Sequence, residues 1–291
     1  MLYERGRLSI RPRTLGPPAA PAGTRSAAAA AVVDCRGRMV TFSLQSGSNG
    51  NSIYVEADGV RLLFDAGISG AEAERRMAVH GRDIRGVDAL ILSHEHIDHV
   101  RCAGVWQRKF GLPLYVTRRT FEAIDCGIGP LHDVRHFTSG DVIEFGPMSV
   151  HTLKTPHDAV DGVAFVVRCG QTRLAILTDL GHPFAELAMI LENVDAAYLE
   201  SNYDPQMLDE GPYSPQLKAR IRGDGGHLSN DEAADLVWRL NRRRPNWIAA
   251  AHLSAENNRP ELALAALAGR IGRDYPLHLA GRDGVSPLLV V

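Results

Sequence analysis

The chain has 291 residues, 45% of them hydrophobic and 23% charged, an ordinary globular composition with room for one large domain or two small ones. No apolar run approaches the roughly 20 residues of a membrane span, and Cys35, Cys102, Cys126 and Cys169 show no CxxC or CxxH spacing, which argues against a disulfide framework or zinc knuckle and fits a reducing, cytoplasmic setting. The net charge of −2 hides an asymmetry, with seven Arg and two acids in residues 1–38; the acidic remainder is not the footprint of a protein that coats nucleic acid.

Residues 1–38 are Arg, Ala and Pro rich, without a helical or strand period. They read as a disordered extension, or as a misassigned start with translation beginning at Met39, in preference to a targeting peptide. From Met39 on, "MVTFSL" predicts a strand, "QSGSNGN" a turn, and "SIYVEADGVRLLFDAG" a hairpin closed by a tight "ADG" connection. Residues 69–80 read as a helix, "VDALILS" as a buried strand and 99–110 as a helix. Strands are expected near 113–117, 141–145, 149–155, 162–168 and 172–178, with a helix over 117–125. A helix near 183–191, the strand "DAAYLES", helices at 214–221 and 230–243 and the strand "WIAAAHLS" follow. A helix over 256–270, capped by Ser254, and two short strands close the chain. Strands and helices alternate throughout 39–291 with no linker, which implies one α/β-layered domain.

The densest chemistry lies in "ILSHEHIDHV", where His94, His96, Asp98 and His99 form H-x-H-x-D-H at the C-terminal end of a strand, the usual place for α/β chemistry. Alternate residues of an extended segment share a face, so His94 and His96 can grip one ion, and Asp98 and His99 point to a neighbouring spot. Imidazole suits zinc, and carboxylate suits zinc or manganese. Further donors stand at or just past other strand ends: His157 in "VHTLKTPHDA", Asp179 in "RLAILTDLGH" and His252 in "WIAAAHLS".

This order of motifs resembles the metallo-β-lactamase superfamily across residues 39 to about 280. The resemblance implies a four-layer αββα sandwich of two mixed β-sheets flanked by helices. It implies two divalent ions, Zn or Mn, one held by His94, His96 and His157 and the other by Asp98, His99 and His252, with Asp179 bridging. His151 is a rival to His157, but lies within a strand and not at its end. Among the branches, Asp179 stands where metallo-β-lactamases commonly have Cys, His96 stands where flavodiiron proteins have a carboxylate, and the stretch from Asp179 to His252 is too short for a β-CASP insertion. The segments "SLQSGSNGNSIYVE", "LSHEHIDHVRCAGV", "ESNYDPQML", "LKARIRGDGGHLSN" and "AHLSAENN" are similar to the YycJ-type exonucleases, with Gln45 departing from that family's usual Gly.

Two cations about 3.5–4 Å apart can bridge a hydroxide and polarise a phosphoryl oxygen, and a departing alkoxide needs a proton. The catalytic candidates are Asp98, His227 as proton donor, and Glu200, which either orients His227 or backs a metal-bound imidazole. The substrate-binding candidates are Ser229 and Asn230, at a helix N-terminus that favours anions, and Lys218 and Arg222, in a basic run with Arg220. Asp65 is placed to bond a ligand histidine, and His182 to touch substrate. The function expected is a nuclease with DNA as substrate, favoured over RNA, without membrane or organic cofactor. A glyoxalase II-like thioesterase or lactonase, or a non-catalytic metal-binding regulatory module, are the alternatives.

Overall fold

The computed structural model describes residues 8–10 and 38–291; the reading of the segment before Met39 otherwise falls outside the described residues. Strand β1 (Leu8–Ile10) pairs in parallel with β8, on the edge of the second sheet. The first sheet is formed by β2 (Val40–Gln45), β3 (Ser52–Ala57), β4 (Val60–Phe64), β5 (Ala89–Ile91), β6 (Leu114–Thr117) and β7 (Val134–Phe137) in that order, with β15 (Leu289–Val290) outside β2. The second runs β1, β8 (Val142–Phe145), β9 (Met148–Lys154), β10 (Val163–Cys169), β11 (Thr172–Leu177), β12 (Ala196–Glu200), β13 (Trp247–Ala251) and β14 (Leu277–Leu279). Apart from the parallel β1–β8 edge, each sheet begins antiparallel and continues parallel, from β4 through β7 and from β11 through β14. The "ADG" hairpin closes as expected, with Asp58 at φ 46° and Gly59 at φ 82°, the left-handed pair that a two-residue turn demands.

Alternation places the layers. In β12, Ala196 and Tyr198 join Phe64, Ile91, Val150 and Phe165 in the core between the sheets, whereas Ala197 and Leu199 face the helices. On the first sheet's outer face, α1 (Gly70–Val79), the single turn α2 (Ile97–Val100) and α3 (Ala103–Phe110) bury Met77, Val100 and Trp106; α4 (Arg118–Ala123) follows β6. Beyond the second sheet are α5 (Ala185–Leu191), α6 (Pro205–Glu210), α7 (Pro215–Arg222), α8 (Asn230–Trp238) and α9 (Pro260–Ile271), of which α5, α8 and α9 bury Leu187, Val237 and Leu267. This is the expected αββα sandwich. Among the described residues no helix is long and apolar enough to cross a membrane.

Three boundaries differ from the sequence reading. The 99–110 helix is broken between α2 and α3, where the Cys102 N–H donates to Ala66 O at 2.9 Å. The 230–243 helix stops at Trp238, because Glu192 Oε1 draws out the Asn241 and Arg242 amides at 2.6 and 3.1 Å. The last helix begins at Pro260, not 256: Ser254 Oγ accepts from the Asn257 N–H at 3.2 Å in a preceding turn, and proline opens the helix itself. Strands β1 and β7 and helix α6 had no counterpart in the sequence reading, which gave residues 1–38 no strand period.

Candidate metal centre

The C-terminal ends of five strands converge on one cleft. Asp65 follows β4, Ser93 and His94 follow β5, Asp179 follows β11, Glu200 ends β12 and His252 follows β13. Asp65, Asp179 and His252 turn out of their strands with φ of 64°, 57° and 55°, a left-handed region that Asp and His enter more readily than most residues. The loops are packed backbone to backbone. The Asn51 N–H donates to Asp98 O at 2.8 Å and the Ala66 N–H to His99 O at 2.7 Å. A Cβ on Gly67 would lie 1.7 Å from Asp98 O, so only glycine fits there.

Two sets of donor atoms come together, His94 with His96 and His157, and Asp98 with His99 and His252; Asp179 is grouped with His94 and His99 on one side and with Glu200, His227 and His252 on the other. His157 Nε2 stands 3.2 Å from His96 Nδ1. Asp98 Oδ2 stands 3.5 Å from His99 Nε2 and 3.4 Å from His252 Nε2. His151, by contrast, sits mid-strand in β9 opposite Val166 and joins neither set.

Most of these rings are held by the other nitrogen. His99 Nδ1 donates to Asp65 Oδ2 at 2.7 Å, as the sequence suggested, and His157 Nδ1 donates to Gly226 O at 2.8 Å. His94 Nδ1 lies 2.9 Å from Ser93 Oγ, which also reaches Asp65 at 2.9 Å. His252 Nδ1 lies 3.3 Å from Glu200 Oε1. Anchoring at Nδ1 turns Nε2 toward the other donors, the arrangement of a metal-ligating imidazole. The polar accounting agrees: His94 Nε2 and Asp179 Oδ2 are buried without a hydrogen-bond partner, a costly state for protein atoms alone. The residues therefore fit divalent cations.

Charge follows the same pattern. Burial works to lower the His252 imidazole, but Asp179, Asp98 and Glu200 push it up to about 10. Burial would raise the Glu200 carboxyl, yet the His227 and His252 charges and hydrogen bonds hold it below its usual range. His94 goes the other way, pushed down by burial and by the neighbouring imidazoles. A cage this rich in carboxylate attracts either protons or metal cations.

The cleft over the donors measures about 350 Å³, with His96, Asp98, Asp179, His227 and His252 in its lining. His227 Nδ1 donates to Glu200 Oε1 at 2.7 Å. The same nitrogen is 3.8 Å from Asp179 Oδ1, so the atom that could reach a metal is already given to Glu200. The other Glu200 oxygen accepts from the Leu180 N–H at 2.9 Å.

The four substrate-binding candidates are not brought to the cleft. Ser229 is spent on a capping box with Glu232, and Asn230 Nδ2 donates to Asn258 Oδ1 at 2.9 Å in a buried network. Lys218 Nζ donates to Asp209 O at 2.8 Å and Arg222 pairs with Asp209, so both turn onto α6. His182 donates from Nδ1 to Asp224 O at 2.7 Å and lines an adjoining depression with Lys154 and Phe184. Gln45 accepts from Arg76, away from the donors. Sequence reasoning missed Asn51, whose Nδ2 donates to Asp98 Oδ2 at 3.1 Å, and Ser93. It also missed Asp158, for which adjacency to His157 was the one available signal.

Residues 46–252 match the family described as the metallo-beta-lactamase superfamily. Exodeoxyribonuclease WalJ of Streptococcus pneumoniae is 34% identical over 256 residues, covering 84% of this chain and 95% of that protein. Exodeoxyribonuclease YycJ of Bacillus anthracis is 36% identical over 222 residues, covering 76% and 84%. The metallo-beta-lactamase fold protein YhfI from Bacillus subtilis, a solved structure, shares the fold with a TM-score of 0.67 at 17% identity, over 88% of this chain and 100% of that one. With its donors at the expected strand ends and these relatives spanning most of its length, the chain belongs to the metallo-β-lactamase superfamily of metal-dependent hydrolases, on the branch that holds WalJ and YycJ.

Proposed function

We propose that the chain is an exodeoxyribonuclease that hydrolyses DNA phosphodiester bonds with two divalent ions, zinc or manganese, in a single domain over residues 39–291. His94, His96 and His157 would hold one ion, Asp98, His99 and His252 the other, with Asp179 reaching both. The ions, when bound, supply activated water and polarise a phosphoryl oxygen.

The observation that carries the reading is His227 on buried Glu200, at the cleft beside the donors but with its near nitrogen already committed. Glu200 accepts the hydrogen bond from Nδ1–H and fixes the ring plane. Nε2 has no protein partner among the described residues, and a proton on it can pass to the departing alkoxide oxygen. A thioester, whose thiolate leaves readily, has less need of such a donor. The relatives named exodeoxyribonucleases support DNA as the substrate. Cys102, Cys126 and Cys169 are unpaired, which supports a cytoplasmic setting.

Purified protein loaded with zinc or manganese should be tested on end-labelled single- and double-stranded DNA, RNA, bis(p-nitrophenyl) phosphate and a thioester. Stepwise release of nucleotides from DNA is expected. Fast thioester hydrolysis with no cleavage of DNA would replace this reading with the thioesterase one.

A further inference from the structure

One wall of the cleft is helix α7, none of whose residues is buried. Leu217, Arg220 and Ile221 line the cleft from this helix, with Tyr213 ahead of it; their spacing is that of one helical face. Arg220 alone among them carries a charge. It donates from Nε to Asp158 Oδ2 at 2.6 Å, and among the described residues no protein group takes its two terminal nitrogens. Asp158 in turn stands beside the donor cluster, with Oδ1 3.5 Å from His157 Nε2 and 3.8 Å from His96 Nε2.

We propose that Arg220 binds the DNA phosphate next to the one being hydrolysed, an assignment that rests on the phosphodiester reading above. The side chain is 60% exposed, so its guanidinium is open to a ligand. An exposed arginine ordinarily loses much rotamer freedom on binding. Here the Nε anchor already holds the planar fork, with its terminal N–H groups uncommitted, which is the preorganised form for a phosphate. Asp158 belongs to none of the donor groups that could hold a metal. Its bare charge at the lip would repel a phosphodiester, and Arg220 offsets it. The guanidinium is set back from the His96 and His157 nitrogens by the width of that carboxylate. This places it off the scissile phosphate and toward the next one along the strand. Lys218 and Arg222 are tied to Asp209, so of the three cations on α7 one faces the substrate.

The test uses the metal-loaded enzyme. Arg220→Gln should raise KM about tenfold for oligonucleotides with two or more phosphates, the usual worth of one charge-assisted contact. It should lower kcat/KM for bis(p-nitrophenyl) phosphate, which has a single phosphate and feels only the uncovered Asp158 charge, far less than for DNA. The slope of log(kcat/KM) against log[salt] on DNA should flatten by about 0.7–0.9, one phosphate contact. Arg220→Lys keeps the charge without the fork, and should restore the slope but only part of the affinity. Arg239→Gln removes the same charge from an exposed arginine outside the cleft, and should change neither. Equal losses on DNA and the aryl diester would place Arg220 at the scissile phosphate or the metal site and overturn the assignment, as would unchanged kinetics on every substrate. A wild-type enzyme inactive on both would bring down the phosphodiester reading, and the Arg220 assignment with it.

Discussion

Glu200 Oε1 lies 2.7 Å from His227 Nδ1, and the two differ in setting: the carboxylate is fully buried, whereas the imidazole is 20% exposed at the cleft. The same oxygen is 3.3 Å from His252 Nδ1. One buried carboxylate thus orients both a proposed metal ligand and the proposed proton donor, so removing either partner should give a different defect.

His227→Ala should keep its metals and its melting temperature. Its turnover on DNA should fall by roughly 10²–10⁴-fold, the usual worth of a positioned general acid. A nitrophenyl diester, with a leaving group that needs no proton, should lose far less. Metal analysis alongside kinetics on both substrates checks this, and loss of metal would make His227 a ligand instead.

Glu200→Gln should be hurt on both counts. Without the carboxylate, His252 loses its orienting partner, and metal affinity should weaken by about 10–100-fold, the typical cost of such a support. Competition with a coloured chelator measures it. Full affinity with low turnover would restrict Glu200 to His227.

Asp65→Asn removes the charge that holds His99 Nδ1 while keeping a residue that tolerates φ 64°. About 10–100-fold weaker metal binding is expected in this variant too, with an unchanged fold by circular dichroism. An unaltered metal content under chelator challenge would show that His99 is held by its packing alone.

Chelation should lower the melting temperature, and zinc or manganese should restore it. Ions present at about 100 times their Kd contribute ~2.7 kcal/mol, several degrees for a chain of this size. The centre should take up close to two ions per chain. Because His252 is pushed up to about 10 by its carboxylate neighbours, it carries a proton at neutral pH until a cation displaces it. Binding should therefore release protons and weaken as pH falls, which calorimetry in buffers of different ionisation enthalpy would reveal.

A chain beginning at Met39 should fold and bind metal like the full-length protein. Every donor lies after that point, Met39 itself is 1% exposed in the core, and β1 contributes a three-residue edge strand. Loss of metal from the truncated chain would move the domain boundary toward the N-terminus.

The residues proposed as donors, which the structure brings together, were legible because their signal is local. H-x-H-x-D-H is a short motif at a strand end, and Asp179 and His252 each close an apolar run. Their supporting residues were less so. Ser93 and Asn51 act through contacts between separate loops, which spacing does not encode. Ser229 was read correctly as a cap, but which way the helix start faces is a tertiary fact, and it faces Asn258. The basic run on α7 was read by charge and not by helical phase, which is why Lys218 and Arg222 stood as candidates while Arg220 is the one that lines the cleft. The broken 99–110 helix has the same origin, since the bond from Cys102 to Ala66 crosses between loops.

The left-handed turns at Asp65, Asp179 and His252 constrain what evolution or an experimenter can install there. Asn and Gly occupy that backbone region at little cost, whereas a β-branched residue meets a steric penalty of roughly 1–2 kcal/mol before any lost ligand is counted. Asp179→Asn is therefore a clean probe of charge, and Asp179→Val would confound charge with backbone strain. Homologues that have abandoned catalysis should betray themselves by drifting to asparagine or glycine at these three turns, keeping the outline of the cleft long after its chemistry has gone.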